Sequence, residues 1–62
     1  MKTVELHIEL SDIQAYEYAQ FLKRVCFSDY RSHAQTENEA YVMVHAGERI
    51  RAALEAQGYA PR

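Results

Sequence analysis

Apolar and polar residues alternate almost without fault at the start of the chain. The apolar positions of residues 2–10 are Val4, Leu6, Ile8 and Leu10, and the polar positions between them are Thr3, Glu5, His7 and Glu9. A period of two places the apolar side chains on one face of an extended chain. We therefore predict a half-buried β-strand over residues 2–10.

The alternation ends at Ser11, where the pattern becomes helical. Ser11 and Gln14 have the spacing of a capping box, in which each residue bonds to the backbone of the other. At about 100° per residue, the apolar positions that follow form one stripe. This stripe consists of Ala15, Tyr18, Ala19, Leu22, Val25 and Cys26. The pattern predicts a helix that runs to about Cys26, with the Cys26 thiol as a small buried group.

Residues 27–35 have no clean period and are rich in side chains that bond to the local backbone, so we predict a loop with at most one helical turn. Thr36 and Glu39 repeat the capping-box spacing and predict a second, longer helix. Its stripe consists of Met43, Ala46, Gly47, Ile50, Ala53, Leu54 and Gln57. Gly58 suits a helix end, which places the stop near Gln57. The alternative is a second strand over residues 40–44.

Gly47 falls inside the second predicted helix. A glycine there costs about 1 kcal/mol relative to alanine, because its backbone loses more freedom on folding. We therefore expect Gly47 to admit close packing against the first helix.

These elements predict an α+β fold in the order β-α-α, contained in a single domain of residues 1–62. A single strand has no neighbour to pair with, and a chain of 62 residues buries so little surface that an isolated monomer would be only marginally stable. A homodimer solves both problems if the two strands pair antiparallel and the helices cover them. The predicted dimer interface consists of Val4, Leu6 and Ile8.

This order of elements resembles the ribbon-helix-helix repressors, whose β-ribbon enters the DNA major groove. The resemblance implies that Thr3, Glu5 and His7 would read bases. Two ribbons would however bring Glu5 and Glu9 of both subunits towards phosphate, where such proteins normally place Lys or Arg. DNA is therefore possible as a partner but disfavoured.

The charge balance gives no support to a dedicated nucleic-acid binder. Seven Lys and Arg against nine Asp and Glu give a net charge of -2, whereas phosphate binding requires a basic stripe or patch. Residues 27–40 alone carry two net negative charges. No apolar run is long enough for a membrane span or an export signal, so we predict a cytoplasmic protein.

The sequence offers no convincing catalytic or metal site. A lone Cys26 cannot form an intramolecular disulfide, and its spacing from His33 and His45 matches no compact ligand motif. Glu37 and Glu39 lie two positions apart on a helix and point in different directions, so they favour the helix N-terminus rather than acid–base chemistry. We expect no metal, no cofactor and no enzymatic activity.

Aromatic residues are more informative, since the chain has five tyrosines and two phenylalanines. Tyrosine is favoured at protein interfaces because it buries apolar area and keeps its hydroxyl bonded. For Tyr30 and Tyr41, a place at an interface and a place in a small core are equally open. The predicted protein-binding surface consists of Asp29, Tyr30, Arg31, Glu37, Glu39 and Tyr41.

Four stretches of the chain, FLKRV (21–25), FSDYRS (27–32), EAY (39–41) and GYAPR (58–62), resemble a family of small, uncharacterised proteobacterial proteins. That family is often associated with prophage or other mobile DNA. The resemblance implies a setting in which short proteins bind and redirect host proteins.

We therefore expect a non-enzymatic, dimeric protein that binds another, unidentified protein. An inhibitor of a host system, of which an anti-CRISPR protein is one form, is a concrete candidate. The alternative is a ribbon-helix-helix transcriptional regulator or antitoxin, and a structural module without regulatory action is a third possibility.

Overall fold

Three helices follow an N-terminal segment without regular secondary structure. A computed structural model describes residues 2–60. The helices are α1 (Asp12–Arg24), α2 (Phe27–Ser32) and α3 (Glu37–Ala56). Because residues 2–60 contain no strand, the α+β prediction with its β-α-α order is wrong, and this part of the chain is all helical.

The predicted N-terminal strand does not form. Residues 2–10, which we call the N-terminal arm, have neither helical nor strand structure. Their apolar side chains face solvent, with Val4 75%, Leu6 69% and Ile8 67% exposed. A strand needs a neighbour that pairs with its backbone N–H and C=O groups, and no part of residues 2–60 provides one. The ribbon-helix-helix architecture depends on this strand, so the predicted architecture is also wrong.

The start of α1 is as predicted, but its end is not. Ser11 N donates to Gln14 Oε1 at 3.0 Å, and Gln14 N donates to Ser11 Oγ at 3.1 Å, which confirms the capping box. The helix ends at Arg24 because Val25 adopts an extended backbone, with φ -63° and ψ 133°. Cys26 therefore lies outside α1 and is exposed, which corrects its predicted place in the core.

The segment predicted as a loop contains the short helix α2. Asp29 Oδ2 accepts a hydrogen bond from Cys26 N at 2.9 Å and so satisfies a backbone donor at the helix start. Ser32 Oγ donates to the Asp29 carbonyl at 2.8 Å. The short polar side chains that predicted a loop here stabilise one and a half turns of helix instead.

The long helix α3 agrees with its prediction at both ends. Thr36 Oγ1 accepts a hydrogen bond from Glu39 N at 3.1 Å. At the other end, Gly58 has φ 97°, and the backbone N–H of Tyr59 donates to the Leu54 carbonyl at 2.9 Å. This is the left-handed helix end that glycine favours. Residues 40–44 lie inside α3, so the alternative second strand is excluded.

Tyr59 links the end of α3 to the start of α1. Its hydroxyl donates to Asp12 Oδ1. This hydrogen bond to Asp12 raises the pKa of Tyr59, and partial burial and the charge of the carboxylate act in the same direction. The contact joins two residues that are 47 positions apart in the chain.

Helix α3 packs against both α1 and α2, and the contacts are made by small residues. The buried positions are Ala15, Ala19 and Leu22 of α1 and Ala40 and Gly47 of α3. A Cβ atom at Gly47 would lie 3.3 Å from Tyr30 Cζ and would collide with the Tyr30 hydroxyl. It would also lie 3.8 Å from Leu22 Cδ2. Gly47 is therefore closely packed, but its nearest neighbour is Tyr30 of α2, whereas the prediction named the first helix.

The buried faces are narrower than the predicted stripes. Tyr18 is exposed and stacks on Phe21, with ring centroids 5.5 Å apart. Three stripe residues of α3 are also exposed, namely Ala46, Ile50 and Ala53. The buried face of α3 is thus rotated towards Ala40 relative to the predicted stripe.

The molecule is a thin slab. Its principal extents are 34 × 29 × 15 Å, and the shortest of them is little more than one helix diameter of about 10–12 Å. Among residues 2–60, no large side chain is fully buried. The slab therefore has a small interior that holds only small or partly exposed side chains.

Candidate protein-binding surface

The structure divides the six predicted protein-binding residues into two groups of three. Asp29, Tyr30 and Arg31 have local structural contacts. Asp29 caps α2 as described, and the half-buried Tyr30 ring packs over Gly47. Arg31 Nη1 donates to the Ala34 carbonyl at 3.1 Å. For Tyr30, the structure therefore favours the core position over the interface position.

Glu37, Glu39 and Tyr41 lie on the first two turns of α3 and are exposed. Glu37 and Tyr41 are four positions apart and so share a face of the helix, whereas Glu39 lies on a different side. Both carboxylates are close to the positive N-terminal end of α3, which stabilises their charge. Only Glu37 and Tyr41 are therefore placed to contact the same partner surface.

Tyr41 forms an exposed aromatic pair with Phe27. The ring centroids are 4.7 Å apart and the ring planes are inclined at 36°. Phe27 is the first residue of α2, so the pair bridges α2 and α3 while both rings remain accessible to solvent. We call Phe27, Glu37 and Tyr41 the aromatic–acidic patch.

Sequence reasoning missed Phe27 because it assigned residues 27–35 to a loop. A signal was nevertheless present. Asp29 stands at the third position of α2, from which a carboxylate reaches back to the backbone N–H before the helix. This half of a capping box predicts a helix start at Phe27, although Cys26 is an unusual N-cap residue.

An open groove of about 710 Å³ lies where α1, α2 and α3 meet. Its apolar surface comes from Phe21, Val25, Tyr30 and Met43, and Arg24 is among the charged residues that line it. The structure shows that the Phe21 ring is exposed along this groove.

The predicted dimer-interface residues Val4, Leu6 and Ile8 lie in the N-terminal arm. Their side chains are accessible, but the arm is not the strand through which we expected them to pair. Val4, Leu6 and Ile8 remain predicted interface residues. Their pairing in an antiparallel ribbon is wrong, because residues 2–10 do not form a strand.

The groups considered for chemistry lie apart from one another. In the described part of the chain, no three His, Cys, Asp or Glu side chains approach closely enough to hold a metal ion. Within residues 2–60, none of the helices has both the length and the apolar character needed to cross a bilayer.

One comparison with known proteins covers the entire chain. A family model matches residues 1–62. The chain belongs to a family of unknown function (DUF7706). This confirms the expected membership of an uncharacterised family. No curated protein and no solved structure matches the chain.

Proposed function

We propose that this protein is a non-enzymatic, homodimeric protein that binds another protein through the aromatic–acidic patch. The observation that carries the proposal is the exposed pair of Phe27 and Tyr41. Tyr41 is 48% exposed although its ring packs against that of Phe27. Aromatic rings that remain accessible on a rigid helical support are typical anchors of protein interfaces, because they bury large areas at little cost in conformational entropy.

The charge beside the rings indicates the chemistry of the partner. Glu37 lies on the same face of α3 as Tyr41, and residues 27–40 carry two net negative charges. A basic partner surface with an apolar pocket would therefore be complementary to the patch. Charge complementarity of this kind mainly increases the association rate and the specificity.

The proposed setting is that of a protein encoded by a phage or another mobile element of proteobacteria, located in the cytoplasm. The resemblance described above supports this setting, and a chain with a single cysteine does not depend on an oxidising compartment. An inhibitor of a host system, including the anti-CRISPR type, is a concrete form of the proposal. In that form the aromatic–acidic patch would occupy a basic nucleic-acid channel of the host protein.

The alternative, a ribbon-helix-helix regulator, has no specific support. Its DNA-reading ribbon would require the strand that residues 2–10 do not form. The outward residues of the arm also include Glu5 and Glu9, which would oppose phosphate.

A capture experiment with two matched tyrosine variants tests the proposal. The tagged protein and its Tyr41→Ala and Tyr16→Ala variants are incubated with nuclease-treated lysate of the source organism. Tyr16 is 49% exposed and lies on α1, so the two substitutions remove the same side chain at nearly the same exposure. We expect a bound protein that Tyr41→Ala loses and Tyr16→Ala retains.

A second pair of variants tests the charge. Glu37→Lys should weaken capture of the same protein more than Glu55→Lys, an equal charge change at the far end of α3. Equal capture by all four variants would mean that the aromatic–acidic patch is not the binding surface. Far-UV circular dichroism confirms that each variant retains its helices.

A further inference from the structure

The groove between the helices is an apolar surface that no other part of residues 2–60 covers. Phe21 of α1 and the adjoining Val25 form one side, and Tyr30 and Met43 come from α2 and α3. Its volume of about 710 Å³ is large enough for several side chains. Along α1 the groove extends from Glu17 to Arg24, a distance of about 10 Å at 1.5 Å per residue, and it continues onto Val25 just beyond the helix.

The N-terminal arm carries a complementary apolar row when its backbone is extended. In an extended chain every second side chain is on the same face, with a rise of about 3.3 Å per residue. An extended arm would therefore place Val4, Leu6 and Ile8 in an apolar row about 13 Å long, which is close to the length of the groove. All three side chains are exposed.

The charges around the groove do not select its occupant. The groove is lined by one basic and two acidic side chains, Arg24 against Glu17 and Asp29. Glu5 and Glu9 of the arm would meet one opposite charge and two like charges there, and exposed pairs add little affinity. Apolar area and length therefore carry the match between the arm and the groove.

The arm is poorly placed to fill the groove of its own chain. Ser11 has an extended backbone, with φ -68° and ψ 163°, and its capping box fixes the direction in which the chain enters α1. In the structure the arm does not fill this groove, because Val4, Leu6 and Ile8 remain 75%, 69% and 67% exposed. A second copy of the chain can supply an arm whose direction is not fixed by the capping box of the helix that it contacts.

The exposed area is large enough for a second copy. The chain exposes 5589 Å², whereas a folded monomer of 7.2 kDa exposes about 4,100 Å². The excess of roughly 1,500 Å² is greater than the approximately 800 Å² that each partner contributes to a standard stable interface. Since each chain has one arm and one groove, two copies can satisfy each other under two-fold symmetry.

We propose that two copies exchange their N-terminal arms, so that Val4, Leu6 and Ile8 of each copy occupy the groove of the other. The contacts are made by side chains on helices and require no sheet. This inference rests on the homodimer of the proposed function and assigns its interface. The aromatic–acidic patch is not part of that interface.

Sedimentation of matched lysine variants tests the exchange. We expect the unmodified protein to be a dimer at micromolar concentration. Leu6→Lys in the arm and Phe21→Lys in the groove should each raise the dissociation constant at least about a hundredfold, because the symmetric dimer loses two buried apolar side chains. Val42→Lys, on the exposed outer face of α3, should leave the dimer intact. Circular dichroism checks that the helices persist.

The outcomes separate this inference from the proposed function. A folded monomer across the micromolar range would overturn both the exchange and the homodimer. A dimer that survives Leu6→Lys and Phe21→Lys, or that dissociates only in Val42→Lys, would overturn the exchange alone. Binding of a protein partner through Tyr41 is measured independently of either result.

The single cysteine allows a direct test of what occupies the groove. Cys26 is exposed and follows the groove residue Val25, so a photo-crosslinker attached to its thiol samples the groove of the intact protein. In a mixture of ¹⁴N-labelled and ¹⁵N-labelled protein, we expect crosslinks from Cys26 of one copy to the arm of the other. Crosslinks to the arm of the same chain, or to another surface of the second copy, would refute the exchange.

Discussion

The N-terminal arm and α3 carry apolar patterns of similar regularity, yet only α3 buries its inner face. The arm alternates with a period of two and leaves Val4, Leu6 and Ile8 in solvent. Helix α3 repeats its buried positions Ala40 and Gly47 seven residues apart, against α1 and α2. The difference follows from the backbone, because a helix satisfies its own hydrogen bonds whereas a strand needs a neighbour.

The same comparison shows that residue size and burial are uncoupled in this chain. The buried positions of the helices are mostly alanine and glycine, and large apolar residues are exposed on the arm and on the outer helix faces. Small residues allow the helix backbones to approach closely, which leaves little interior volume for large side chains. Closely packed helices of this kind therefore bury backbone and small side chains, and the larger apolar groups are available for partners.

The largest expected effect on the free energy of unfolding comes from comparing a leucine-to-alanine substitution in α1 with the same substitution in the arm. Leu22→Ala should lower the free energy of unfolding by about 2–4 kcal/mol, because Leu22 is only 7% exposed and a cavity would remain. Leu6→Ala removes the same atoms from a side chain that is 69% exposed. In protein dilute enough to be monomeric, it should cost less than about 0.5 kcal/mol. Urea denaturation followed by circular dichroism measures both, and equal losses would mean that the arm is buried against its own helices.

The next effect probes the close approach at Gly47. Gly47→Val should destabilise the protein by about 1–3 kcal/mol, because the new side chain collides with Tyr30. Combining it with Tyr30→Phe, which removes the colliding hydroxyl, should recover part of the loss. The control Ala46→Val changes the exposed neighbour and should cost only the lower helix propensity of valine, about 0.5 kcal/mol. If Ala46→Val proves as harmful as Gly47→Val, the helices do not approach at Gly47.

A smaller effect is expected at the junction of the arm and α1. Ser11→Ala removes the side chain that accepts from Gln14 N and should lower the free energy of unfolding by about 1 kcal/mol. Ser28→Ala, inside α2, is the matched control and should stay within about 0.5 kcal/mol of the unmodified protein. Thermal unfolding of the three proteins distinguishes a true cap from a serine that only borders the arm. Indistinguishable melting curves would argue against the cap.

The smallest effect concerns the contact between the two ends of the helical region. The hydrogen bond to Asp12 raises the pKa of Tyr59 above its ordinary value. The bond therefore contributes its full stability below about pH 10, and the contribution is lost as the pH rises through the raised pKa. Asp12→Asn should return the Tyr59 pKa towards the ordinary value. A ¹³C NMR titration of the tyrosine Cζ resonances reports the shift, and identical Tyr59 titrations in both proteins would rule out the contact.

Most helix boundaries follow from the sequence alone. Ser11 with Gln14, Thr36 with Glu39, and Gly58 identify the starts of α1 and α3 and the end of α3. Each of these signals involves residues at most four positions apart, so no distant part of the chain is needed to interpret it. The buried residues Ala15, Ala19 and Leu22 also follow from the period of α1.

The features that only the tertiary structure determined depend on how residues distant in the sequence are placed relative to one another. The exposure of the arm, the inward position of Tyr30 and the pairing of Phe27 with Tyr41 are such features. Periodicity shows which side chains share a face, but it does not show whether another element covers that face. The alternation of residues 2–10 predicts an apolar row correctly and a strand wrongly, because the backbone partner that makes a strand is absent from residues 2–60.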